Sequence, residues 1–170
     1  REGDWKVTAA VHTPSDAARP QVLALWPGLR EAPVFGAAVD LGSTTIACHL
    51  ADLHTGEVVA SNGVMNPQIR FGEDLMSRVS YSMMNPGGAA EMTRVVREAL
   101  AALLRETAEE AGAAPHDILE TVIVCNPVMH HLLLGIDPVE LGWAPFALAT
   151  SDAVSCGASE LGLNIHPQAQ

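Results

Sequence analysis

Along this 170-residue chain the spacing of apolar positions changes period several times. Two short β-like runs come first, WKVTAAVH at 5–12 and QVLALW at 21–26, joined by the polar, proline-bearing TPSDAARP. This predicts a hairpin. The turn-rich PGLREAP at 27–33 reads as a linker, so the expected division is a hairpin segment and linker over 1–33 and a main unit over 34–170. VFGAAVD is nearly all apolar, the pattern of a central strand covered on both faces. TTIACHLAD alternates instead, with Ile46, Cys48 and Leu50 on one face. Thr55-Gly56 supplies a turn and EVVASNGVM returns. Three consecutive antiparallel strands are therefore expected.

The period then lengthens. Phe71, Leu75, Val79 and Met83 recur every fourth residue, which predicts a helix over about 72–84, stopped by Asn85-Pro86-Gly87-Gly88. A longer helix over about 89–111 carries the stripe Met92, Val95, Val96, Ala99, Leu100, Leu103 and Leu104, and Gly112 and Pro115 mark its end. TVIVC at 121–125 is a short buried strand. Asn126-Pro127 has the form of an N-cap followed by proline at the first helical position, and VMHHLLL then runs to Gly135. Asp137-Pro138 repeats that start signal. The stretch from 142 reads as loop, with one helical turn at 156–161. Three antiparallel strands followed by helix, helix, strand and helix predict an α/β unit: a ribonuclease-H-like mixed sheet with helices packed on it, preceded by a small β-hairpin segment.

Composition narrows the function. Apolar residues make up 48% of the chain and aromatics only 4%, so the core is aliphatic. The net charge of −11, from nine basic and twenty acidic residues, disfavours nucleic acid, whose binders present a basic face. No apolar run reaches the length of a membrane span and the start lacks a secretory signal, which points to a cytoplasmic protein. Cys48, Cys125 and Cys156 are odd in number and widely spaced, with no CxxC pair, the usage of reduced thiols rather than of a disulfide framework or a cysteine-ligated metal. The chain opens without Met inside a strand-like pattern and stops at NIHPQAQ, so a piece of a longer protein is expected.

The candidate chemistry lies in DLGSTT, residues 40–45. A nucleotide phosphate needs close backbone approach, inward amides and hydroxyl donors. Gly42 allows the approach, Ser43, Thr44 and Thr45 bring hydroxyls, and amides of a tight turn form an anion-binding concavity. Asp40 at the strand end could hold Mg²⁺ directly or through water. The competing reading is a plain tight hairpin whose polar residues satisfy their own turn. The context, between an apolar strand and an alternating one, favours the phosphate.

AVDLGSTTIACHL resembles the first phosphate motif of the superfamily that contains acetate and sugar kinases, Hsp70 and actin. Taken in order, AVDLGSTTIA, NPQIRFGEDLMSRV and VMHHLLLGIDPVELGWAPF resemble one family more narrowly: the iron–sulfur, ATP-dependent reductive activators of corrinoid proteins. The resemblance is close over about 34–150 and looser to 170. It implies a kinase-like ATPase module whose first subdomain is this chain and whose second subdomain lies elsewhere in the same protein. It implies ATP with Mg²⁺, a [2Fe-2S] cluster in a ferredoxin domain absent from this chain, a corrinoid protein as partner, and the reduction of cob(II)amide to cob(I)amide. By position, Asp40, Gly42, Ser43, Thr44 and Thr45 would form the first phosphate and Mg²⁺ site, with Asn126 a further cofactor-binding candidate. The family pattern often has Gly-Asn-Thr where this chain has Cys125-Asn126-Pro127; proline removes an amide donor and a hydroxyl and leaves Asn126 as a helix cap. The second phosphate loop and the four-cysteine motif lie outside this sequence. The segment alone is therefore expected to be inactive, and no catalytic residue is assigned to it.

Other residues read structurally. Adjacent His130 and His131 point about 100° apart on a helix and cannot chelate one ion from one face. Glu73 and Asp74 sit at a helix start, where carboxylates favour the macrodipole. Asn66-Pro67-Gln68 is turn chemistry. Met83-Met84 reads as core, and Trp5, Trp26 and Trp143 as seals of the hairpin and the C-terminal loop against the sheet. Two further classes of function stay open at this point: a ribonuclease-H-like nuclease, in which Glu73 or Asp74 would join Asp40 around two metals, and a non-catalytic docking module.

Overall fold

A computed structural model describes residues 2–13 and 19–170. Strands β1 (Val7–His12) and β2 (Gln21–Pro27) pair antiparallel as a separate two-stranded ribbon. The hairpin expected at the N-terminus is present; most of its connecting loop lies outside the described residues. Leu23 and Ala24 of the ribbon bury against Leu119 in a small cluster that Ala10, Trp26 and Val34 edge. Arg30 fastens the linker to the main unit, ion-paired to Asp117 at 2.7 Å and lying 4.4 Å from the centre of the Trp26 ring.

The main unit is a four-stranded mixed sheet in the order β5-β4-β3-β6. β3 (Phe35–Leu41), β4 (Thr45–Asp52) and β5 (Val58–Met65) are consecutive and antiparallel, and β6 (Ile118–Cys125) returns parallel to β3. The expected α/β architecture, a mixed sheet preceded by a small antiparallel hairpin, is the observed one. Ile46, Cys48 and Leu50 are all fully buried on one face, as their alternation predicts. β3 is central but covered on one side only. Phe35, Ala37, Val39 and Leu41 are buried, while Ala38 and Asp40 on the other face are exposed, as are His49, Val122 and Val124. Gly36 and Ala38 are apolar because they are small, which imitates a strand buried on both faces.

Three helices cover the inner face: α1 (Leu75–Met84), α2 (Gly88–Glu110) and α3 (Pro127–Leu134). Met92, Val96, Leu100, Leu103 and Leu104 of α2 form one core with the strands and with Met129 and Leu132 of α3. α1 starts later than its apolar period suggests. Residues Pro67–Phe71 form a 3₁₀ turn capped by Asn66, and Gly72 sits so close to Ser77 and Arg78 that a Cβ there would meet backbone at 2.8 Å. Asp74 then caps α1, accepting from the Ser77 amide at 2.7 Å. With the late start the stripe runs out at its end, leaving Met83 and Met84 exposed rather than in the core. Trp5 and Trp143 are likewise exposed; of the three tryptophans only Trp26 is half-buried. The Asp137-Pro138 signal opens a 3₁₀ turn at Val139–Gly142, and the last expected turn is 3₁₀ at Ala158–Leu161.

Candidate functional site

Because Leu41 stands opposite Cys125 in the parallel pair, the residues that follow, Gly42 and Asn126, leave the sheet at the same end. That is the end at which open α/β sheets bind ligands, beyond the carboxyl ends of parallel strands. Asp40, the 42–45 turn and Asn126 are brought together there by topology. The Asp40 side chain is on the exposed face of β3, yet close enough to influence Cys125. Burial pushes the Cys125 thiol up, and the Asp40 carboxylate adds to that.

The 42–45 turn is shaped from below. A Cβ on Gly42 would lie 2.5 Å from the Thr45 carbonyl oxygen, so the closeness of the turn requires glycine. Three successive carbonyls are drawn inward. Gly42 O accepts from Asn66 Nδ2 at 2.8 Å, Ser43 O accepts from the Arg78 guanidinium, and Thr44 O accepts from the Asn66 amide at 2.8 Å. In a trans peptide the amide points opposite to the preceding carbonyl. The Ser43 and Thr44 amides therefore face away from these donors, and among the described residues they donate to no other group. Nor do the hydroxyls of Ser43, Thr44 and Thr45 bond to any described residue. Free amides on the outer side of a turn, with unbonded hydroxyls on neighbouring residues, are the kind of donor set that an anion requires. A phosphate fits it.

The floor is a buried polar cluster. Asn66, Gln68 and Arg78 are each fully buried, together with Met129. Asn66 Oδ1 accepts from the Gln68 amide at 2.9 Å, and Gln68 Nε2 donates to Met92 O at 3.0 Å. Arg78 donates through Nε to Gly72 O at 3.0 Å, and through Nη1 to Gln68 Oε1 and the Met129 sulfur, both at 3.3 Å. Burial draws the Arg78 pKa down, and the Asp74 carboxylate partly opposes this. Sequence reasoning missed this floor. Asn66-Pro67-Gln68 reads as a turn, and a lone arginine in an amphipathic helix reads as solvent-facing. The signal available was NPQIRFGEDLMSRV itself, in which an arginine falls one position from the buried Val79 on the helix stripe.

Asn126 is the N-cap of α3, its Oδ1 accepting from the Met129 amide at 3.0 Å, with Pro127 at the first helical position. His131 is a buried structural residue. Its Nδ1 donates to Pro127 O at 2.7 Å and its Nε2 accepts from the Ala149 amide at 3.0 Å, which ties the 143–149 loop to α3 and specifies the Nδ1-protonated neutral ring. Asp74 is committed to Ser77. Among the described residues no group of three or more His, Cys, Asp or Glu side chains is placed to hold a metal ion. The carboxylate set that a two-metal nuclease needs around Asp40 is thus not assembled by Glu73 or Asp74.

A mixed sheet with its helices on one face, ending in a glycine turn whose carbonyls are pinned from beneath, defines an α/β lobe with a candidate anion site at its strand ends. The chain belongs to the RACo middle region family, whose model matches residues 35–170. It is 32% identical over 139 residues to the corrinoid activation enzyme RamQ of Eubacterium limosum, an alignment covering 82% of this chain and 23% of that protein. A solved structure of a reductive activator for corrinoid, iron–sulfur protein superposes with a TM-score of 0.89 at 30% identity, over 99% of this chain and 27% of the other. The chain thus spans about a quarter of the length of the relatives it matches.

Proposed function

We propose that this chain is the middle region and first ATPase lobe of a reductive activator that returns the corrinoid of a partner protein from cob(II)amide to cob(I)amide, and that the turn after Asp40 is its first phosphate-binding element. The observation that carries the site is the row of three carbonyls held inward from Gly42 to Thr44, which frees the Ser43 and Thr44 amides opposite. The family membership and the two corrinoid-activating relatives support the role. In this reading Ser43, Thr44 and Thr45 bind the phosphates, Gly42 permits their approach, and Asp40 holds Mg²⁺ directly or through water. Asn126 acts on the site indirectly, by fixing the start of α3 beside it. Bound ATP supplies the free energy of hydrolysis, and a [2Fe-2S] domain outside these residues supplies the electron. The expected units are 1–33, a hairpin segment and linker, and 34–170, the lobe itself. The protein works in the cytoplasm, alongside a second lobe of its own chain.

The test is made on the whole protein. Asp40 is exposed, so Asp40→Ala is expected to leave thermal unfolding unchanged while ATP hydrolysis falls to background. Unchanged turnover in that variant would remove Asp40 from the site. A whole protein that binds no nucleotide at all would favour the docking-module reading instead.

A further inference from the structure

Arg78 stands out among the cationic side chains. It is fully buried, and among the described residues no carboxylate lies within ion-pair distance of its guanidinium. Its partners are the carbonyls of Ser43 and Gly72, the Gln68 amide oxygen and the Met129 sulfur, all of them neutral. A buried charge without a counter-charge is costly, and neutral dipoles offset only part of that cost. Arginine cannot shed its proton to escape it. The charge lies directly behind the Ser43 peptide, whose carbonyl it holds, and the opposite edge of that peptide is the free Thr44 amide. Positive charge is therefore relayed through one peptide unit to the outer side of the turn, in a low-dielectric setting where its field is strong.

We infer that Arg78 is the positioning residue of the phosphate turn. It pulls the Ser43 carbonyl inward, and its charge, which meets no carboxylate at ion-pair distance among the described residues and which Asp74 offsets only in part, is completed by the polyphosphate of the nucleotide on the other side of the turn. Asn66 and Gln68 hold the guanidinium and the turn in register. Arg78 touches neither ligand nor reacting atoms; it acts through the Ser43 and Thr44 backbone. The inference rests on the phosphate reading of this turn and adds the source of its charge.

The experiment compares affinities of the whole protein for Mg-ATP and for adenosine, by calorimetric titration, in wild type, Arg78→Gln and Arg78→Lys. Arg78→Gln is expected to weaken ATP by at least about tenfold while adenosine changes little, as loss of a charge-assisted contact requires. Arg78→Lys, which keeps the charge and gives up the fork, should hold the ATP-to-adenosine ratio within about threefold of wild type. A merely structural role would weaken both ligands together, or neither, and either pattern overturns the inference. If Arg78→Gln does not fold, Arg78→Lys decides alone: a tenfold fall in its ratio overturns the charge role, and a preserved ratio supports it. Wild-type protein that binds ATP no better than adenosine would overturn the phosphate reading and this inference with it. Wild-type preference for ATP that survives in Arg78→Gln would overturn only the latter.

Discussion

Gly42 leaves no room for a side chain, because the atom that a Cβ would strike is backbone, the Thr45 carbonyl oxygen. Gly42→Ala should destabilise the protein by about 1–3 kcal/mol, read in urea unfolding, since the turn must open to accommodate it. Nucleotide affinity should fall in the same variant, because the Ser43 and Thr44 amides would move with the turn. Asn126 makes a different prediction. As the α3 cap it should lose about 1 kcal/mol on substitution by Ala and little on substitution by Asp, which also caps. A phosphate-binding Asn126 would show instead in nucleotide affinity, which both substitutions would lower, Asp more than Ala because it repels the anion. The capping pair Asn126-Pro127 is legible in the sequence because both residues act on their own backbone. Arg78, Asn66 and Gln68 are not, because each has a partner 24 to 35 residues away along the chain: Ser43 for Arg78, Gly42 for Asn66 and Met92 for Gln68. Met83, Trp5 and Trp143 fail in the opposite sense, being apolar residues in chain context that packing leaves exposed.

At the level of elements, α1 depends on its cap. Bonds from the backbone amide and then the hydroxyl of Ser77 hold the Asp74 carboxyl below the usual carboxylate range. A depressed folded pKa contributes stability that is present above the unfolded value and lost as pH falls through the folded one. Asp74→Asn should therefore abolish that share of the acid-side loss below about pH 4 while largely keeping the cap, whereas Asp74→Ala should lower the melting temperature at neutral pH too. Thermal unfolding between pH 3 and 7 checks both. α2 is held by its stripe, and Leu100 at its centre is fully buried. Leu100→Ala is expected to cost about 2–5 kcal/mol in urea unfolding. The stripe of α2 and the alternation of β4 are the parts of the fold read most directly from spacing, since each has one apolar face against one core. The start of α1 is not legible from spacing, because Phe71 keeps the four-residue period while belonging to a 3₁₀ turn that Gly72 separates from the helix.

For the molecule as a whole, the described residues form two hydrophobic clusters that border each other at the starts of β3 and β6, where Val34 and Leu119 of one adjoin Phe35 and Ile118 of the other along the chain. The large one runs from Phe35 to Ala169, and the small one joins Leu23 and Ala24 to Leu119. A chain begun at Val34 should keep a cooperative unfolding transition, weakened by about 2 kcal/mol as Leu119 becomes exposed and the Arg30–Asp117 pair is lost. Loss of cooperativity in that truncation would show that the ribbon belongs to the lobe. The division at 33 was suggested by PGLREAP, but the ion pair of Arg30 with Asp117 joins residues 87 apart, a distance over which spacing says nothing.

The inward pinning of Gly42, Ser43 and Thr44 also has a kinetic meaning. The turn loses its freedom during folding, when Asn66 and Arg78 become buried, so on the proposed reading an arriving anion would meet a surface already in shape. Such a surface gains affinity by not having to order itself, but for the same reason it has little room to move. On the proposed reading, this turn would then be a fixed wall of the phosphate site, and any response to the state of the nucleotide would have to arise in other parts of the whole protein.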